Sequence, residues 1–327
     1  MPRLTLLAPI VALGLPVVAR AYSLKDDYTG NGYADFFSKF SFWTTADPTD
    51  GFVDYVDENT AWSEGLIGNG GNIYIGVDNK NVADDSGRKS IRLTSTASYD
   101  PNTLFVANIS HMPGGICGTW PAFWTTSSTS NWPQEGEIDM IEQANNADTN
   151  QMSLHVSKDQ GRCTISTGAN MTAKEGRWGD CTEEDTGGCD ATDSRTTSFG
   201  AGFNNDNGGV YAMEWTAVYV RIWFFPRSAI PSGDSGPLGS SPDPTSWGTP
   251  TTSFHSQHET GCDMSEHIKN QRIIIDTTFC GTWAGDDWEG SGCAASTGSS
   301  TCEDYVKNNP SAFTDAFWTF DSIQVFT

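Results

Sequence analysis

Apolar side chains recur along this chain in short runs and never in long helical stripes. The runs NIYIGV (72–77), SIRLTS (90–95), LFVANIS (104–110), PAFWTT (121–126), EIDMIE (137–142), QMSLHVS (151–157), VYAMEWTAVYVRIWFF (210–225), RIIIDTTF (272–279) and AFWTFDSIQVF (316–326) are rich in β-branched and aromatic residues. Gly, Pro and Asn bound them, so each reads as a strand. Many strands without a helical period predict an all-β fold, a two-sheet antiparallel sandwich or jelly roll, which reaches this length as one domain.

One run breaks its own alternation. In GEIDMIEQANN (136–146) the acids stand at 137, 139 and 142. A regular strand sends Glu137 and Asp139 to one face and Glu142 to the other. A β-bulge at Met140 and Ile141 sets two residues against one of the neighbouring strand and returns Glu142 to the acidic face. At about 3.3 Å of rise per residue the outer two backbones are still roughly 13 Å apart. Long side chains at both ends, leaning together over a concave sheet, suit the roughly 5–5.5 Å carboxyl separation of retaining glycosidases, and the shorter Asp suits the middle. The spacing alone is weak in so acidic a chain. The apolar residues threaded through it, Ile138, Met140 and Ile141, carry more, because carboxylates on such a strand are costly unless they line a polar cleft.

The ends and the loops add context. Residues 1–21, with Arg3, an apolar run from Leu4 to Val18 and small residues at Ala19 and Ala21, have the layout of a secretory signal peptide cut before Tyr22. Residues 22–327 are then expected to form one catalytic domain. The segment from Arg227 to Gly261 resembles a linker in composition but precedes further strands, so it reads as a long loop within that domain. In it, GDSGP (233–237) lacks the second glycine and the upstream histidine of a serine-protease nucleophile and reads as a turn. His255, His258, Glu259 and Cys262 read as a surface loop and not as a closed zinc site.

Charge and cysteines narrow the partners. The chain carries 41 acids against 18 Lys and Arg, a net charge of −23; loss of the leader removes Arg3 and Arg20 and takes it to −25. Such a surface disfavours nucleic acid and anionic membranes. Eight cysteines without a C-x-x-C pair predict disulfides in an oxidising compartment, and Asn108-Ile-Ser and Asn170-Met-Thr fit the glycosylation pattern. All of this agrees with a secreted, extracellular protein.

At the acidic run the sequence resembles glycoside hydrolase family sixteen. EIDMIE matches the longer, bulged form of its signature, the one found in laminarinase-like members. GTWPAFW, SLHVS, YAMEWT, IWFFPRSAIP and FCGTWAG extend the likeness to secreted fungal endo-β-1,3(4)-glucanases over most of the chain from Tyr22. The resemblance implies a two-sheet β-jelly roll with a concave, open cleft. It implies that Glu137 is the nucleophile, Glu142 the acid/base, and Asp139 the residue that tunes the nucleophile's charge.

It also implies a monomer acting on β-glucan polysaccharide, with no cofactor and no metal. Trp120, Trp124, Trp132, Trp215 and Trp283, from a chain of twelve tryptophans, are candidate sugar platforms, any of which has a core position as its alternative. His155 resembles a cleft histidine of the laminarinase-like members; as a lone histidine it equally fits a core. Two other activities share this fold: a glucan-recognition module that has lost its acids, and a wall-remodelling transglycosylase. All three acids are present here.

Overall fold

In this computed structural model the described residues are 22–29, 33–69, 72–128, 131–161, 163, 170–176, 179–183, 187–255 and 263–327. The leader expected over residues 1–21 lies outside them. Every run read as a strand is one. VYAMEWTAVYVRIWFF forms a hairpin, with strands Gly209–Trp215 and Tyr219–Pro226 joined by a turn in which the Thr216 hydroxyl accepts from the Val218 and Tyr219 amides. The described helices are short, at most seven residues, as in Glu58–Glu64 and Cys302–Asn308.

Among the described residues the strands make two eight-stranded sheets and a small two-stranded one, Val53–Tyr55 with Arg88–Ser90. At the centre of the inner sheet, Glu137–Glu142 lies between Thr119–Ser127 and Gln151–His155. Gln271–Phe279, Arg92–Ser95 and Phe40–Phe42 follow on one side, and Cys189–Thr192 and Lys174–Glu175 on the other. The outer sheet is built around Thr103–His111, flanked by Gly209–Trp215 and Phe317–Phe326. Alternate residues fill the space between the sheets: Leu93, Phe123, Ile138, Leu154, Ile273 and Ile275 from one, Phe105, Ile109, Met213, Trp318, Phe320 and Ile323 from the other, all nearly or fully buried. Each such side chain contributes about 1.5–3 kcal/mol on leaving water. Strand alternation therefore aims the remaining positions of the inner sheet, Trp120, Ala122, Trp124, Thr126, Ile274, Asp276 and Glu137 among them, into an open cleft.

Two expectations change here. Trp215 is not a platform: it is fully buried in the core between the sheets, on a strand of the outer sheet. Asn108 lies mid-strand in that sheet, within the run LFVANIS, and its side-chain oxygen accepts from Arg227 Nη1 at 2.6 Å; Asn170 is exposed, off the sheets. The long segment after Arg227 is not loop throughout. It contributes the edge strand Thr252–His255, which places His255 against Tyr219; His258, Glu259 and Cys262 lie outside the described residues. GDSGP is a turn, closed by the Gly236 amide on the Gly233 carbonyl.

Among the described cysteines, Cys117 pairs with Cys293, Cys181 with Cys189 and Cys280 with Cys302, and Cys163 is also disulfide-bonded.

The bulge falls where the spacing predicts it. Against the Thr119–Ser127 strand, Asp139 is opposite Trp124 and Ile141 opposite Phe123, leaving Met140 as the extra residue. Met140 and Ile141 both point into the core, and Glu142 returns to the cleft side opposite Ala122. A bulge breaks the ladder and leaves backbone groups to satisfy. The fully buried Asn150 does this: its amide nitrogen donates to the Met140 carbonyl at 2.8 Å, and its oxygen accepts from the Glu142 amide at 3.0 Å. Replacement of Asn150 by Ala strands both groups, and we expect a loss of about 2–3 kcal/mol in urea unfolding, together with reduced turnover because Glu142 loses its backbone anchor. Wild-type stability in that variant contradicts this role.

Candidate active site

Glu137, Asp139 and Glu142 share one side of their strand. Asp139 is almost wholly buried in the floor, while Glu137 and Glu142 line both a cleft of about 750 Å³ and a second cavity of about 350 Å³ that continues past them. The two glutamates thus stand where the cavities meet, and a chain laid along the groove passes over them. Each is held by an indole: Trp132 Nε1 donates to Glu137 Oε2 at 2.9 Å, and Trp120 Nε1 donates to Glu142 Oε1 at 2.8 Å. Trp283, on the π-helical turn Gly281–Gly285, packs edge-on against Trp120 with ring centres 5.4 Å apart and lines the second cavity. That turn is tied to the sheet by the buried Asn145, which accepts from the Gly118 amide and donates to the Ala284 carbonyl.

Burial and mutual repulsion set the charges. Burial, with Asp139 beside it, pushes Glu137 up from an ordinary 4.5 to about 8. His155, Trp132 and Arg92 pull in the other direction. Glu142 is lifted well above the carboxylate range by burial and by the charge of Asp139. Burial also raises Asp139, against the pull of its histidine contact. Both glutamates are therefore held toward the protonated form, with the indole contacts and His155 acting in the opposite sense on each and Arg92 on Glu137.

His155 lies opposite Glu137 on the neighbouring strand. Its Nε2 is 3.3 Å from Asp139 Oδ2, and its Nδ1 is 2.6 Å from Glu183 Oε2. Burial disfavours the imidazolium, but the two carboxylate contacts outweigh it and lift His155 well above its ordinary value. Ligand atoms of Glu137, Asp139 and His155 lie within 4.8 Å of one another, a spacing compatible with a cation. His155 is hydrogen-bonded to Glu183 and lies within ion-pair distance of Asp139, contacts that favour its charged form.

On the far side of the acids, Trp124 forms the cleft wall with Trp43. The Arg92 guanidinium is sandwiched between them, 5.0 and 5.1 Å from the two rings, with Asp276 and Asp47 at 3.6 and 3.7 Å. Burial raises Asp276 to about 7 despite Arg92. Five of the six aromatic and histidine candidates thus line the cleft, and Trp215 does not. Arg92, Asp47, Asp276 and Glu183 were not singled out from sequence. A charged residue inside an apolar strand run, as in SIRLTS and RIIIDTTF, is the signal that finds Arg92 and Asp276; Glu183, in the loop CTEEDTGGC, gives none.

Comparison with known proteins agrees with this geometry. A profile described as the XgeA-like, catalytic GH16 domain matches residues 40–326. The chain is 42% identical to an endo-1,3(4)-β-glucanase of Arthroderma benhamiae over 99% of its own length and 68% of that protein's. It is 40% identical to the endo-1,3(4)-β-glucanase xgeA of Emericella nidulans over 97% of its length, where it spans about half (49%) of the relative. Among solved structures it resembles laminarinase 16A of Phanerochaete chrysosporium, captured with 6-O-glucosyl-laminaritriose in donor and acceptor sites (36% identity, TM-score 0.84). It also resembles an elongating family 16 β-1,3-glucosyltransferase (40% identity, TM-score 0.82); in both cases 94% of this chain and all of the other are covered. The chain belongs to glycoside hydrolase family 16, among its XgeA-like catalytic domains.

Proposed function

We propose that the protein is an exported endo-β-glucanase that hydrolyses internal β-1,3 bonds, and β-1,3 bonds in mixed β-1,3/1,4 glucans, with retention of configuration. The observation that carries this reading is the pair of glutamates at the meeting point of two open cavities, each oriented by an indole N–H. A groove open on both sides of the acids accepts the middle of a chain, which favours internal cleavage. Residues 22–327 act as one catalytic domain, as a monomer, and Asn170 is the better-exposed of the two glycosylation candidates.

In the first step the ionised Glu137 attacks the anomeric carbon while Glu142 gives its proton to the departing glycosidic oxygen. A glycosyl ester on Glu137 and a free sugar hydroxyl result. In the second step the Glu142 carboxylate takes a proton from water, whose oxygen displaces Glu137 from the anomeric carbon. Asp139 adds negative charge beside both glutamates, so it opposes their simultaneous ionisation and helps to keep Glu142 protonated for the first step. Trp124, Trp132, Trp120 and Trp283 offer flat apolar faces to glucose rings on the two sides of the cleavage point.

A second reading has a specific observation in its favour. The second cavity, lined by Trp283, Gln151 and Ser153, leaves room for a sugar opposite the ester, and a relative with 40% identity is an elongating glucosyltransferase. Transfer to a sugar acceptor at high oligosaccharide concentration fits that cavity. The glucan-recognition alternative, which presupposes lost acids, fits a chain that keeps all three less well.

With laminarin or barley mixed-linkage glucan, proton NMR of the earliest products should show the β-anomer first; an initial α-anomer excludes double displacement. Glu142→Gln should lower kcat by about 10²–10⁴-fold and remove the alkaline limb of the pH profile, whereas an unchanged alkaline limb takes the acid role from Glu142. Glu137→Gln should nearly abolish turnover and yet stabilise the fold with a defined pH dependence. Between 4.5 and about 8 the native wild type binds more protons than the unfolded chain, so its stability falls as pH rises through that window. The variant lacks this loss, and its Tm should gain on the wild type from pH 4.5 to 8; a constant Tm difference contradicts the raised Glu137 ionisation.

A further inference from the structure

The Cys181–Cys189 disulfide closes a short loop beside the site. The loop is fastened to the end of the His155 strand by backbone bonds, Val156 N–H to Cys181 C=O and Glu183 N–H to Val156 C=O, both 2.9 Å. At its far end stands Gly188 with φ +84°, where a Cβ would come within 2.4 Å of His155 Nδ1. The described ends of this segment thus meet the imidazole, with glycine where the ring passes and a carboxylate at the ring nitrogen. Glu183 Oε2 meets Nδ1 at 2.6 Å, the shorter of the two carboxylate contacts to this histidine.

We propose that Glu183 is a positioning residue of the reaction: its carboxylate clamps His155 as an imidazolium against Asp139, and that cation keeps Glu137 in the ionised form that attack requires. The proposal rests on the nucleophile assignment made above. Among the described residues, the charged groups facing His155 are Asp139 and Glu137 from the motif strand, Glu183 from the disulfide loop and Asp190 from the following strand; Glu142 lies further along the motif strand. All are acidic, so His155 is the local cation of this part of the cleft, as Arg92 is on the other side. With Glu183 neutralised, the imidazolium keeps Asp139 as its close partner and loses its shorter bond. It then gives up its proton at lower pH, the positive charge near Glu137 is gone over more of the pH range, and Glu137 ionises later.

The side chain of Glu183 is partly exposed, so Glu183→Gln should fold normally, which its Tm will report. In the full-length protein, the imidazole C–H resonance of His155, identified by its loss in a His155→Gln control, should titrate about one pH unit or more lower in Glu183→Gln than in wild type. The acidic limb of kcat/KM on laminarin should move upward by about half a unit, with the plateau kcat within about five-fold. An unchanged imidazole titration overturns the proposal whatever the activity. A raised KM with both limbs in place also overturns it, by making Glu183 a sugar contact, and a lowered Tm with unmoved limbs overturns it in favour of a brace. A lowered titration with an unmoved acidic limb overturns the coupling to Glu137; trapping the glycosyl ester on the wild type and locating the labelled glutamate then tells whether the coupling or the nucleophile assignment has failed.

Discussion

The arrangement of the site depends on one extra residue in one strand. Met140 interrupts the alternation of Glu137–Glu142, and if the six residues ran on in regular register without the bulge, Ile141 would face the cleft and Glu142 the core. The bulge is stable because the fully buried Asn150 takes up the carbonyl and the amide that the broken ladder leaves behind. An amide side chain suits this task, having a donor and an acceptor a fixed distance apart. The catalytic geometry is thus bound to the backbone of the inner sheet and not to a mobile loop, which is where precise placement of reacting groups is best kept.

Three carboxyls within six residues of one another, Asp139 buried and the two glutamates half-buried at the cleft floor, repel strongly, and the surroundings act on each differently. Indole N–H groups hold Glu137 and Glu142 in place. Cations stand to either side, His155 between Asp139 and Glu183, and Arg92 between two indoles and two aspartates. Removal from water raises each acid, and the nearer cations lower Glu137. Together these effects give the two glutamates different surroundings without any difference in residue type.

Much of this was legible in the sequence. The strands, the bulge at Met140–Ile141 and the common face of the three acids follow from alternation and its one interruption, because strand period and sheet burial are local properties. Trp124 and Trp132 were recognisable as candidates because they approach the acidic run in sequence. Trp215 was misjudged for an equally physical reason: its strand belongs to the outer sheet, and tryptophan reads alike whether it faces sugar or core. Asn150, Arg92 and Glu183 escaped because their function is to answer groups distant in the chain or across the sheet. A buried asparagine that mends a bulge, or a loop glutamate that meets a histidine 28 positions away, has no periodic signature.

Asn108 shows how little a short pattern says of its setting: its side-chain oxygen accepts from Arg227 in the middle of a strand. Against these, the acidic constellation is both patterned in the sequence and gathered on one face in the fold, which is why it carries the account. The most direct test is to trap the intermediate: incubate the protein with an activated 2-deoxy-2-fluoro β-1,3-glucosyl donor and locate the added mass by peptide mass spectrometry. One glycosyl unit esterified to Glu137 is the predicted result. Labelling of Glu142, or no covalent adduct while the reagent still inhibits turnover, would contradict it.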